Sequence, residues 1–210
     1  MSEQKFLIDT NSFIAPYRQY YAFDFTRAFW EQLEQNINDG KIVMLDMVLD
    51  EILCVNDELK DWGKKLHREQ CIDHREPQIL LHYREIMQYL QDCPYYKQTA
   101  LDEWAIETVA DPWLIAAAKA HNCTIVTFEM PNSNPNERQP WRMAKIPNVA
   151  NEFGVQTVNL FSMMRTLQFR LWRNKNSPGQ PQRISPSAAI PAFLMSPDAR
   201  AALPESRQSG

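Results

Sequence analysis

The chain has 210 residues, 44% of them hydrophobic and 11% aromatic, enough to build a core and to argue against global disorder. Its formal net charge is −4, which argues against a broad basic surface for nucleic acid; any such contact must be local or helped by bound cations. No apolar run approaches the ~18–20 residues of a membrane helix, and the four cysteines, at 54, 71, 93 and 123, lie too far apart for CxxC zinc pairs.

The sequence opens MSEQKFLID and enters a strand at once, so no secretory leader is expected, and the cysteines are expected as reduced thiols in a cytoplasmic protein. Lys5 to Ile8 is an apolar run of strand character ending on Asp9. Phe25, Phe29, Leu33 and Ile37 recur every four residues, which predicts one face of a helix, and Gly40 is its natural stop. Ile42 to Leu45 reads as a second buried strand. Met47 to Leu59 reads as helical, with Val48, Ile52 and Leu53 facing inward. The densely charged stretch 61–76 has no clear assignment. On a helix, His67, Cys71 and His74 would share one face, a weak zinc motif with no evident fourth ligand.

Ile79 to Leu90 returns to helical spacing. Asp111-Pro112 opens the clearest helix, with Asp expected as the N-cap and Pro in the first turn. The Ala run of DPWLIAAAKAHN allows close packing on a sheet. Cys123 to Phe128 reads as a third strand, Pro147 to Phe153 as a short helix stopped by Gly154, and Val155 to Val158 as a fourth strand. Phe161 to Leu171 is a closing helix with Phe161, Met164, Leu167 and Leu171 on its apolar face.

Beyond Asn174 six prolines punctuate a stretch rich in Ser, Ala, Gln and Arg. It lacks the long apolar side chains that offset ordering entropy and is expected to be disordered or extended. The expected organisation is one domain over 1–173 and a Pro-rich flexible tail over 174–210, with AIPAFLM (189–195) as the tail's apolar island.

Alternating strands and helices imply an α/β fold with a mostly parallel sheet covered on both faces. Sites in such sheets lie beyond the carboxyl ends of the strands. Asp9 ends the first strand, Glu51 sits early in the helix after the second, Asp111 starts the helix before the third, and Glu129 ends the third. Taken singly, Asp111 reads as a helix cap, Glu51 as a solvated helix residue and Glu129 as a loop charge. Together they share one edge, where four carboxylates repel unless cations separate them. Oxygen-only ligation suits Mg²⁺ or Mn²⁺, and metal there activates water and stabilises phosphoryl oxygens during in-line displacement.

FLIDTNSFI, the Glu51 helix, ADPWLIAAA and TIVTFE resemble the successive motifs of PIN-domain ribonucleases. The aromatic-rich YYAFDFTRAFWEQL and the segment KIPNVANEFGV narrow the resemblance to bacterial PIN-like proteins of uncharacterised function, related to VapC-type toxins. It spans about residues 5–170. It implies a three-layer α/β/α sandwich and an acidic Mg²⁺ or Mn²⁺ site of Asp9, Glu51, Asp111 and Glu129, with Asp more usual than Glu at position 129. By the same resemblance Asn11 and Thr127 would orient the carboxylates. Lys145, which leads the KIPNV segment, reads either as a contact to a scissile or neighbouring phosphate or as a solvent-exposed lysine before a helix.

The expected activity is metal-dependent hydrolysis of RNA by the toxin of a type II toxin–antitoxin pair. RNA would be the substrate and a small antitoxin the partner; a homodimer is compatible with this. The alternative is a non-catalytic PIN-like module that binds RNA or protein. No Ser–His or Cys–His constellation competes, since the four histidines lie outside these motifs.

Overall fold

The computed structural model describes residues 4–133 and 137–171. The strands form where consecutive residues can all be buried. In β1 (Lys5–Ile8) Phe6, Leu7 and Ile8 are each at most 1% exposed. Successive strand side chains point to opposite faces, so protein covers both sides of the sheet. β3 (Cys123–Val126) is buried at every position. β2 (Ile42–Val43) and β4 (Thr157–Val158) flank them in the order β2-β1-β3-β4, with every pairing parallel. The architecture is a three-layer α/β/α sandwich.

Among the described residues there are nine α-helices: α1 (Asn11–Ala15), α2 (Arg27–Asn38), α3 (Asp46–Cys54), α4 (Glu58–Gly63), α5 (Pro77–Asp92), α6 (Gln98–Trp104), α7 (Asp111–His121), α8 (Ile146–Glu152) and α9 (Leu160–Thr166). None is long and apolar enough to cross a membrane. The expected tail, 174–210, lies outside the described residues.

Several elements differ from their sequence reading. Phe25 does not belong to the face of α2: Thr26 leaves the helix at φ −135° and ψ 62°, and Phe25 is 88% exposed. The helix expected over Met47–Leu59 is two helices. α3 ends at Cys54, and α4 starts where the Asp57 carboxylate accepts the Leu59 N–H at 3.1 Å. α4 packs close to α3 because Gly63 has no side chain; a Cβ there would lie 2.7 Å from Ile52 Cγ2.

Strand two stops at Val43, and Leu45 instead bridges Ile72, which gives part of the 61–76 stretch its place. β4 likewise covers only the end of Val155–Val158. The closing helix runs over Leu160–Thr166 and buries Leu160, Met163 and Met164; Gln168, at φ 57°, turns the chain off it. Within the aromatic block Tyr21 stacks on Phe29 at 4.5 Å and Phe23 on Trp30 at 4.4 Å, while Tyr20 and Phe25 stay exposed.

The chain leaves β1 toward β2 and leaves β3 toward β4, so the connections diverge between the two central strands. Ile8 pairs with Val126, and Val126 with Val158, which aligns the carboxyl ends. A crevice at that edge is where open parallel sheets place their sites.

Candidate functional site

Asp9 and Thr127 each follow the last residue of a central strand, so the register sets them side by side. The Asp9 N–H donates to Val126 O at 3.0 Å, and its carboxylate is buried with the residue 5% exposed. The Thr127 hydroxyl donates to Asp9 Oδ2 at 3.0 Å. The Asn11 backbone N–H also donates to this carboxylate. Asn11 therefore helps through its main chain, while its side chain is exposed. The turn is pinned by Ser12, whose N–H donates to Asp9 O at 2.9 Å and whose hydroxyl donates to Val126 O at 3.1 Å.

Glu51 comes from the second turn of α3. The Thr10 hydroxyl, next to Asp9, donates to Glu51 Oε2. Asp111 is the first residue of α7 rather than its cap: Ala110 holds the cap position, and no side chain bonds the helix end. α7 turns into β3 through Asn122 in the left-handed region, φ 52° and ψ 48°. It therefore runs back along the sheet and delivers Asp111 to the carboxyl edge. The expected capping bond is absent, and this carboxylate lies in the field of the other acids instead.

Glu129 follows β3 by three residues, and its backbone N–H donates to Thr127 Oγ1 at 3.1 Å. Both carboxylate oxygens have partners. Lys145 Nζ donates to Oε1 at 2.6 Å, and the Ile146 N–H donates to Oε2 at 2.8 Å. Lys145 thus lies at the acidic edge, paired with Glu129. A carboxylate has about four acceptor positions, so Glu129 keeps lone pairs after both bonds.

The four acids come from separate parts of the chain: Asp9 follows β1, Glu51 lies on α3, Asp111 opens α7 and Glu129 follows β3. Burial pushes Asp111 up to about 7, with the charges of Asp9, Glu129 and Glu51 adding to it and Lys145 opposing. Burial pushes Asp9 up to about 6, against the Thr127 hydrogen bond and with Glu129 and Glu51 raising it further. Burial also raises Glu51, opposed by the Thr10 hydrogen bond. The hydrogen bond that Lys145 donates to Glu129 holds the lysine above its usual value, with Asp111 and Glu103 contributing. Oxygen donors under mutual repulsion suit a hard divalent cation, which would relieve the cost of ionising Asp9 and Asp111.

Among the described residues, one trio has ligand-type atoms all within 4.8 Å: Asp46, Asp73 and His74. No three of the four acids at the sheet edge meet that distance. The members of the trio already have protein partners. His74 Nδ1 lies 2.8 Å from Asp46 Oδ2, Asp46 Oδ1 accepts the Met47 N–H at 2.8 Å, and Asp73 pairs with Arg75 at 3.0 Å. This arrangement locks the start of α3 to the segment after Ile72. The His67, Cys71 and His74 face does not form, because a 3₁₀ turn at Arg68–Gln70 separates His67 from Cys71.

Thr10 and Ser12 escaped the sequence reading. The signal was the cluster of hydroxyls directly after the strand-end acid, in LIDTNS.

No curated protein matches the chain. Among solved structures it is similar to the crystal structure of VapBC2 from Rickettsia felis bound to a DNA fragment from their promoter. The identity is 16% and the TM-score 0.42, over 74% of this chain and 98% of that one. The profile of the Domain of unknown function (DUF4411) matches residues 6–171, most of the chain, and the protein belongs to that family.

Proposed function

We propose that this chain is a metal-dependent endoribonuclease of the PIN type, with Asp9, Glu51, Asp111 and Glu129 as the residues that hold Mg²⁺ or Mn²⁺. One arrangement carries the reading: buried Asp9 ends β1 under the Thr127 hydroxyl, Glu51 reaches from α3 to the neighbouring Thr10, Asp111 opens α7, and Glu129 follows β3. Divalent metal bound there supplies charge neutralisation at phosphoryl oxygens and a lower pKa for water. The chain's own residues prepare the site. Thr127 orients Asp9, Thr10 holds Glu51, and α7 carries Asp111 to the crevice. Lys145 brings a cation beside the acids, where a phosphate of the RNA strand would meet it.

The motif resemblance supports the biological setting, the toxin half of a type II pair with a small antitoxin as partner. A neighbouring reading frame for a small DNA-binding protein is the observation that tests this setting. Residues 1–173 are proposed as the functional domain and 174–210 as an appendage to it.

The Lys145–Glu129 ion pair favours a second reading, a non-catalytic module in which the lysine stands in for metal. Purified full-length protein with Mn²⁺ or Mg²⁺ separates the two. The nuclease reading expects cleavage of structured RNA that EDTA abolishes and that Asp9→Asn abolishes. Cleavage unchanged in Asp9→Asn would assign the activity to a contaminant or another site.

A further inference from the structure

Three separate segments bring aromatic rings to one side of the carboxyl edge. Phe128 stands between Thr127, which bonds Asp9, and Glu129, and it is only partly buried. Its ring meets Phe161, in the first turn of α9, at 6.3 Å and 87°. Phe161 in turn meets Tyr20 at 6.1 Å and 75°. One residue separates β4 from α9, so Phe161 also lies at the carboxyl ends of the strands. The row of rings therefore starts at the residue between Thr127 and Glu129 and leads away from it on the α9 side.

Tyr20 is the outer ring of the row and is 51% exposed. The main chain holds it from behind. Tyr20 ends a π-helical turn, Pro16–Tyr20, that continues α1 and closes where the Tyr21 N–H donates to Pro16 O at 2.6 Å. Trp30 Nε1 donates to Tyr21 O at 2.6 Å, and the Tyr21 ring stacks on buried Phe29. A group fixed before binding loses little freedom when a ligand covers it.

A cation stands beside the row. Arg165 is four residues after Phe161 on α9, which makes the two neighbours on one helix face, roughly 5–6 Å apart at Cβ. Arg18, Arg27, Arg68 and Arg75 are each paired with a carboxylate. Arg165 is exposed and has no such pair among the described residues.

We propose that this row is a platform for an unpaired segment of the RNA strand, with a base stacked on Tyr20 and Arg165 meeting a phosphate beside that base. The proposal rests on the ribonuclease reading for its substrate class. An open ring face beside a cation matches a single strand, since every base has a π-face and every phosphate a negative charge. The net charge of −4 denies the strand a broad basic surface, so its contacts are local. This one is joined to the acids through Phe128, next to Glu129.

The test uses full-length protein in EDTA, so that binding is separated from cleavage. The ring signals of Tyr20 are assigned by NMR with Tyr20→Phe. Adenosine and uridine at millimolar concentration are expected to shift them saturably, and ribose 5-phosphate is expected to leave them in place. Tyr20→Leu keeps an apolar side chain and removes the ring; because Tyr20 is exposed, the unfolding midpoint should hold. Its affinity for an eight-nucleotide oligoadenylate or oligouridylate should fall at least about fivefold, the weight of one stacked base. Tyr20→Phe should keep the wild-type affinity. Arg165→Gln should make the loss of affinity with salt shallower, by about 0.7 in the slope of log affinity against log salt.

A shift caused equally by ribose 5-phosphate, or no shift with either nucleoside, would overturn the platform. Wild-type oligonucleotide affinity in Tyr20→Leu would overturn it too and leave the rings to a protein partner. An unchanged salt slope in Arg165→Gln would overturn the phosphate contact. Metal-dependent cleavage without nucleoside binding at Tyr20 would remove this proposal alone. Nucleoside binding without cleavage would remove the nuclease reading and leave the platform.

Discussion

The Thr127 hydroxyl donates to Asp9 Oδ2 at 3.0 Å. Thr127 Oγ1 in turn accepts the backbone N–H of Glu129 at 3.1 Å, so one side chain ties the Asp9 carboxylate to the main chain of Glu129. Thr127 touches neither substrate nor reacting atoms and acts through Asp9 as a positioning residue. Thr127→Val keeps the shape and removes both bonds. Partners of this kind are worth ~10–100-fold in metal affinity or activity. We expect metal-dependent turnover and Mn²⁺ affinity to fall within that range, with a stability loss of about 1 kcal/mol. Thr127→Ser should restore most of both. Initial rates over a Mn²⁺ titration, beside thermal unfolding, check this. Equal loss in Val and Ser variants would mean packing of the methyl group, not the hydroxyl, was at stake.

The raised acids make metal-free stability depend on pH in a definite direction. From an ordinary value of 3.8, Asp9 rises to about 6 and Asp111 to about 7 in the folded state. Between about pH 4 and 7 the folded chain therefore binds more protons than the unfolded chain. Its stability falls as pH rises through that window, and the penalty is complete above it. Shifts of this size are on the order of a few kcal/mol.

Exposed acids such as Asp61 and Asp73 shift the opposite way, so the comparison must be between variants rather than absolute. At pH 8 without metal, Asp111→Asn should melt roughly 5–10 °C above the wild type for a domain of this size, and the gap should close toward pH 4. Millimolar Mn²⁺ should raise the wild-type midpoint at pH 8 and leave that of Asp111→Asn nearly unchanged. An Asp111→Asn midpoint equal to wild type at pH 8 would place Asp111 outside the acidic cluster.

Much of this arrangement was legible because strand patterns report burial directly. Phe6, Leu7 and Ile8 can all be apolar only if both sheet faces are covered, and a parallel sheet then carries Asp9 and Glu129 to one edge. The position of Asp111 was legible from the same topology. Its role was not, because the helix begins at Asp111 itself and leaves no cap for it to make. Thr10 and Glu51 are 41 residues apart, and a hydroxyl after a strand carries no sign of which distant acid it meets. Phe25 was misread because the four-residue period continues through Thr26, where the backbone has already left the helix. Periodicity records side-chain type, and only the dihedral angles record where a helix stops.

Lys145 offers a separate check on the charge balance. It donates to Glu129 Oε1 at 2.6 Å and lowers Asp111. Lys145→Met removes a cation from the field of these acids, so the metal-free midpoint at pH 8 should fall and the rise on adding Mn²⁺ should grow. Turnover should fall if the lysine meets a phosphate of the strand. In the non-catalytic reading the lysine replaces metal, and the variant should lose stability that Mn²⁺ does not restore. Calorimetric melts with and without Mn²⁺ distinguish the two outcomes.

The last prediction concerns where the domain ends. Gln32 on α2 accepts the Arg170 N–H at 2.8 Å and donates to Arg170 O at 2.8 Å. Phe169 packs toward Phe29 with ring centroids 6.0 Å apart, and its N–H donates to Met164 O at 2.8 Å. These contacts close the chain onto α2 within residues 169–170. Beyond Asn174 the prolines remove backbone donors, and few long apolar side chains remain to offset ~1–2 kcal/mol of backbone ordering per residue. A stop after Lys175 should therefore leave folding and metal-dependent cleavage nearly intact. A stop after Gln168 should lower the midpoint by more than about 5 °C, one to two kcal/mol for a domain of this size. Ile190, Phe193 and Leu194 lie outside the described residues and are where the first expectation can fail. A drop of more than about 5 °C on stopping after Lys175 would mean that residues beyond 175 pack on the domain and that its boundary lies further along the chain.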